Sequence, residues 1–148
     1  MCEIIKMTAT ELAAKIKSKE LSSVEVTKAF LGRIKEVDPK IKAYVSICED
    51  YALKQAQISD DKIAKCENVG VLEGVPIAIK DNILIKDIKM TAASKILENY
   101  IAPYDATVIA KLKNAEFSVD DPIANSSRFA LPTKTAPAFL SFVITVAS

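Results

Sequence analysis

The sequence predicts an α/β fold on three observations: capped stretches with apolar residues at helical spacing, a β-branched and aromatic run at 43–47, and a nearly all-apolar run at 75–79. An apolar run of that length suits a strand buried on both faces, which helices must cover. With 148 residues, 50% hydrophobic and 26% charged, the chain is long enough for one domain or part of a larger one.

The elements follow in order. Thr8 and Glu11 have the spacing of a capping box, and Leu12, Ala13 and Ile16 behind them share one helical face, so a short helix is expected to about residue 19. Ser22 and Glu25 repeat the device. Val26, Ala29, Phe30, Ile34 and Val37 then keep the 3.6-residue period until Asp38-Pro39 is expected to end the helix. Residues 43–47 read as extended, and 49–65, with Ala52, Leu53, Ala56 and Ile63 among many charges, as a surface-lying third helix.

Gly70 and Gly74 mark a loop before Val75-Pro76-Ile77-Ala78-Ile79, the expected central strand, which stops abruptly at Lys80-Asp81-Asn82. A last helix is expected to about Asn114, with Asp105 placed to favour its positive N-terminal dipole and Val108, Ile109 and Leu112 on its buried face. After Glu116 the character changes: Asp120-Asp121-Pro122, two further prolines and an apolar tail at 139–147 show no consistent period. The expected division is therefore 1–116 as the N-terminal part of a domain and 117–148 as a divergent tail.

Composition narrows the chemistry. A net charge of +1 arises from interleaved acids and bases, so no basic stripe supports contact with nucleic acid or membrane. Residues 1–7 lack the apolar run of a signal peptide and no later apolar span reaches bilayer length, so the cytoplasm is the expected location. Cys2, Cys48 and Cys66 have neither CxxC spacing nor a histidine beside them, and no metal site is expected. The chain has no histidine at all, which excludes Ser-His-Asp and Cys-His catalysis by this chain alone. Acyl-transfer chemistry here would need a lysine or a carboxylate as base.

Lys80 is the candidate. A lysine at the end of a buried strand is partly desolvated, which disfavours its ammonium form and suits a general base. The competing reading is structural: Asp81 is adjacent and could pair with it, and most lysines reach out to solvent.

The stretch Leu72-Glu73-Gly74-Val75-Pro76-Ile77-Ala78-Ile79-Lys80-Asp81-Asn82-Ile83 resembles the signature of the amidase-signature family. In register behind it, Thr91-Ala92-Ala93-Ser94-Lys95-Ile96-Leu97-Glu98-Asn99-Tyr100 and Pro103-Tyr104-Asp105-Ala106-Thr107-Val108 resemble one branch, the A subunits of glutamyl-tRNA(Gln) amidotransferases. The resemblance covers about residues 8–115. It implies an incomplete mixed β-sheet of the amidase-signature type, with the N-terminal helices packed on it.

For chemistry, the resemblance implies a Ser-cisSer-Lys triad in which Lys80 relays a proton through a bridging serine to a nucleophilic serine that attacks an amide. Asp81, Asn82 and Ser94 are supporting candidates, each with a structural alternative as turn former or cap. In that branch the substrate amide is glutamine's, and the ammonia passes to a partner B subunit that amidates glutamyl-tRNA with ATP and magnesium, braced by a C subunit. No cofactor is expected in this chain, and tRNA is expected only through the complex.

The departures matter equally. Both family serines lie in glycine-rich stretches downstream of the lysine, whereas this sequence has three glycines, the last at Gly74. Ser126, Ser127, Ser141 and Ser148 have no glycine neighbours, so none takes a catalytic role, and the isolated chain is expected to be inactive. Arg128-Phe129-Ala130-Leu131 is the faint family resemblance in the tail. The alternatives are a segment of another amidase-signature hydrolase of small amides, or a non-catalytic interaction remnant.

Overall fold

The computed structural model describes residues 3–113 and the backbone of 140–146. Its order is a 3-10 turn at Ile4–Lys6, then α1 (Ala9–Lys17), α2 (Ser23–Ile41), β1 (Tyr44–Ile47), α3 (Glu49–Ala64), β2 (Val75–Lys80), a second 3-10 turn at Lys95–Leu97, α4 (Thr107–Lys113) and β3 (Leu140–Val146). The fold is α/β, as expected.

Local chemistry accounts for the starts of α1 and α2. At α1 the capping box forms in both directions: Glu11 N–H donates to Thr8 Oγ1 at 3.3 Å and Thr8 N–H to the Glu11 carboxylate at 2.7 Å. At α2 the Ser22 hydroxyl accepts from Glu25 N–H at 3.0 Å, and a second cap arrives from outside the helix. The Asp60 carboxylate of α3 accepts from Ser23 N–H at 2.6 Å and from Val24 N–H at 3.1 Å. Two otherwise orphaned donors are thereby satisfied, and α3 is tied to the start of α2.

Pro39 does not stop α2. It sits in the last turn, and the helix runs on to Ile41 before Lys42 adopts the left-handed conformation at φ 54° and donates to Asp38 O. The exit is held by the Asp38 side chain, which accepts from Ala43 N–H at 2.7 Å and Tyr44 N–H at 3.2 Å. A proline this late loses one ladder bond, which Asp38 offsets with two.

The sheet has three described strands in the order β1-β3-β2, with β3 antiparallel to β1 and parallel to β2. The central place therefore goes to β3, from the tail, and not to β2 as expected. Seven contiguous residues without polar alternation read equally as strand or as buried helix, so periodicity alone does not distinguish them. Nor is β2 buried on both faces: Val75 and Ile79 are buried but Ala78 is exposed. Cys2, Ser126, Ser127, Ser148 and residues 128–131 lie outside the described residues.

Two apolar clusters form the core. Ile4, Leu12, Ala13, Ile16, Val26, Ala29, Ile63 and Val75 make one, and Leu31, Ile34, Ala52, Ile79, Ile85, Ile88 and Ile109 the other. Both α2 and β2 run from the first cluster to the second, so the end of β2 is fixed by packing at Val75 and again at Ile79. No helix among the described residues is long and apolar enough to cross a membrane.

Candidate active site around Lys80

Strand alternation decides what happens where β2 ends. Ile79 is buried, Lys80 is exposed and Asp81 is buried again at 4% exposure, so the two neighbouring charges leave the backbone on opposite sides. The adjacent salt bridge that the sequence allowed is not among the ion pairs of the described residues. The Lys80 side chain has no hydrogen-bond or ion-pair partner among the described residues, and the enclosed surroundings expected for it are not built by them.

Asp81 is committed elsewhere. Its Oδ1 accepts from Thr91 N–H at 3.0 Å and its Oδ2 from the Thr91 hydroxyl, while its main-chain carbonyl accepts from Ala92 N–H at 3.3 Å. Thr91 is itself buried at 9% exposure. The chain between is closed by a short pairing of two stems, with Asp87 N–H to Ala102 O at 2.8 Å, Ala102 N–H to Ile88 O at 3.0 Å and Met90 N–H to Tyr100 O at 3.1 Å. The segment emerging from these stems folds back onto the end of β2.

There it takes an unusual shape. Ala92 and Ala93 both have positive φ, 46° and 55°, where a Cβ is disfavoured by roughly 1–2 kcal/mol per residue. Ala93 N–H donates to Thr91 Oγ1 at 3.2 Å and Ser94 N–H to Thr91 O at 2.8 Å, so Thr91 organises the turn from both its side chain and its backbone. Lys80, Asp81, Asn82, Ala92 and Ala93 line an open cleft of about 140 Å³. A strained backbone held by buried hydrogen bonds beside a cleft is a feature of functional sites.

Of the site residues expected from sequence, Lys80, Asp81 and Asn82 come together in this cleft. Ser94 does not line it; it precedes the 3-10 turn at Lys95–Leu97 without a side-chain cap bond. Thr91, Ala92 and Ala93 carry no mark of a site in the sequence. A threonine ten positions from its aspartate has no local spacing signal, and alanines do not advertise positive φ. Cys48 is half-buried, which pushes its thiol up, and neither it nor exposed Cys66 lines the cleft.

Residues 25–119 match the family model named Amidase. The chain belongs to the amidase family. Among curated relatives, the A subunit of glutamyl-tRNA(Gln) amidotransferase from Endomicrobium trichonymphae is 56% identical over 115 residues, 78% of this chain and 24% of that protein. The protein of the same name from Carboxydothermus hydrogenoformans is 50% identical over 133 residues, 90% of this chain and 27% of that one. Among solved structures, a fatty acid amide hydrolase superposes with a TM-score of 0.69 at 32% identity, over 74% of this chain and 20% of the other. The chain thus spans about a quarter of the length of the curated amidase relatives it matches.

Proposed function

We propose that this chain is the lysine-bearing segment of a glutamyl-tRNA(Gln) amidotransferase A subunit, in which Lys80 serves as the base for hydrolysis of the glutamine amide. The observation that carries the reading is the exposed, unpaired Lys80 facing a cleft inside the family match, with Asp81 beside it already engaged by Thr91. A lysine free of a carboxylate partner is spared the pairing that favours the charged form, which a salt-bridged one is not. The 45% to 56% identity to several proteins of that name favours this branch over other amidases.

The remaining parts come from the family. The bridging and nucleophilic serines belong to glycine-rich stretches absent from these 148 residues, so the isolated chain has no acyl-enzyme step to assist and is inactive by itself. Its partners are then the B and C subunits, with ATP and magnesium bound by B, tRNA met only through the complex, and the assembly in the cytoplasm. No cofactor is assigned to this chain.

The test is a chimera. Residues 8–115 would replace the aligned segment of the Carboxydothermus hydrogenoformans protein, with and without Lys80→Ala, in complex with its partner subunits. Glutamine hydrolysis is expected to fall by about three orders of magnitude or more in the alanine chimera, as for loss of one member of a catalytic triad. Ammonia-dependent amidation is expected to persist, because that chemistry is not at Lys80. Equal glutaminase rates in the two chimeras, or loss of both reactions together, would overturn the proposal.

A further inference from the structure

The neighbours Lys80 and Asp81 pose a problem for any base at this position. A carboxylate one residue away from a working lysine will pair with the ammonium unless something holds it back, and pairing favours the charged form that cannot accept a proton. Among the described residues Asp81 is the one other titratable group lining the cleft.

We propose that Thr91 is a positioning residue whose hydroxyl and backbone N–H hold the Asp81 carboxylate away from Lys80, and whose turn sets the Ala92-Ala93 wall opposite the lysine. The proposal rests on Lys80 being the working base. Three features converge on it. Both Asp81 oxygens are taken by Thr91, one from the main chain at 3.0 Å and one from the hydroxyl. The same Thr91 Oγ1 also accepts from Ala93 N–H at 3.2 Å, so one side chain couples the carboxylate to the cleft wall. Finally, Ala92 and Ala93 stay in a disfavoured conformation, which persists only where surrounding bonds over-determine it, and the bonds present are those of Asp81 and Thr91.

The arrangement leaves two sequence neighbours of opposite charge unpaired with each other. Deleting the Thr91 hydroxyl leaves a buried carboxylate oxygen without its donor, and the cation that lines the same cleft is Lys80. A purely structural clasp would lose stability on that deletion but would leave the chemistry of the lysine unchanged.

Acetylation of the 148-residue chain separates these outcomes, because an amine paired with a carboxylate is acylated more slowly. N-hydroxysuccinimidyl acetate would be added at one pH under native conditions and each lysine followed by peptide mass spectrometry, the other lysines serving as internal references. In Thr91→Val the relative rate at Lys80 is expected to fall about threefold, the effect of an ion pair of ordinary surface strength. Thr91→Ser, which keeps the hydroxyl, is expected to restore it, and Asp81→Asn combined with Thr91→Val to abolish the slowing. An unchanged Lys80 rate in a folded Thr91→Val chain would overturn the proposal, as would slowing that survives Asp81→Asn.

Uniform acceleration of all lysines would mark loss of fold. Asp81→Glu, whose longer carboxylate reaches past Thr91, then carries the same comparison: slowing at Lys80 supports the proposal and an unchanged rate overturns it. The assay involves no turnover, so it can fail while the chimera succeeds, and the reverse.

Discussion

Gly74 has a φ of +84°, and a Cβ built on it would lie 3.1 Å from both Ile16 Cγ2 and Ser23 Cβ. Its carbonyl accepts from the Ser23 hydroxyl at 2.6 Å, so the backbone passes directly over the start of α2. Gly74→Ala combines a left-handed alanine with overpacking, and is expected to destabilise the chain by about 2–4 kcal/mol. Urea denaturation measures this, and a loss under about 0.5 kcal/mol, the range of neutral surface changes, would refute it. Thr27 offers the opposite case. Its side chain is 1% exposed and its hydroxyl has no hydrogen-bond partner among the described residues. Thr27→Val keeps the shape and removes the stranded hydroxyl, so a gain of about 1 kcal/mol is expected, read as a higher urea midpoint at unchanged slope.

At the scale of elements, the carboxylates that matter are those that join one element to another. Asp60 caps α2 from α3, and Asp105 accepts from Lys86 N–H at 2.8 Å while pairing with Lys113 in the last turn of α4 at 2.8 Å. Asp105, just ahead of α4, thus also forms a staple between a loop and the far end of the helix. Burial raises the Asp105 pKa, but the Lys113 and Lys86 contacts outweigh it and the net shift is downward. The sign follows: with a folded pKa below the unfolded value of about 3.9, the contribution is present above pH ~4 and is lost as pH falls through the folded value. Asp105→Asn is therefore expected to lower the midpoint of unfolding at neutral pH and to converge with wild type at about pH 2. Parallel curves across that range would exclude the staple.

For the molecule as a whole, burial is incomplete. Ile96 is 93% exposed and Ile101 62%, with Tyr104 and Val108 also outside the core, so apolar surface remains uncovered among the described residues. The core is split into two clusters, connected through the chain by α2, β2 and α3. The isolated 148-residue chain is accordingly expected to be marginally stable. On heating, its helical circular dichroism should decline broadly from below about 45 °C, under the usual range of mesophile domains. A sharp cooperative transition within that range would show that these two clusters suffice.

The helices and the strand leading to Lys80 were legible from sequence because caps and periodicity are local: Thr8 with Glu11, Ser22 with Glu25, and the apolar run from Val75 all signal within a few residues. The family was legible for the same reason, since the signature stretch is contiguous. Long-range pairing was not. That β3 takes the centre of the sheet depends on hydrogen bonds between residues far apart in sequence, from Val75 to Leu140 and onward. The cleft shows the difference most directly. Sequence places Lys80 and Asp81 side by side as an apparent ion pair, whereas strand alternation sends them to opposite sides and Thr91, ten residues on, decides which partner the carboxylate keeps. Sequence by itself determined the capped helices and which lysine ends β2; only the tertiary structure decided the strand at Leu140–Val146 and what that lysine faces, because a hydrogen bond across a folded loop has no local period to betray it.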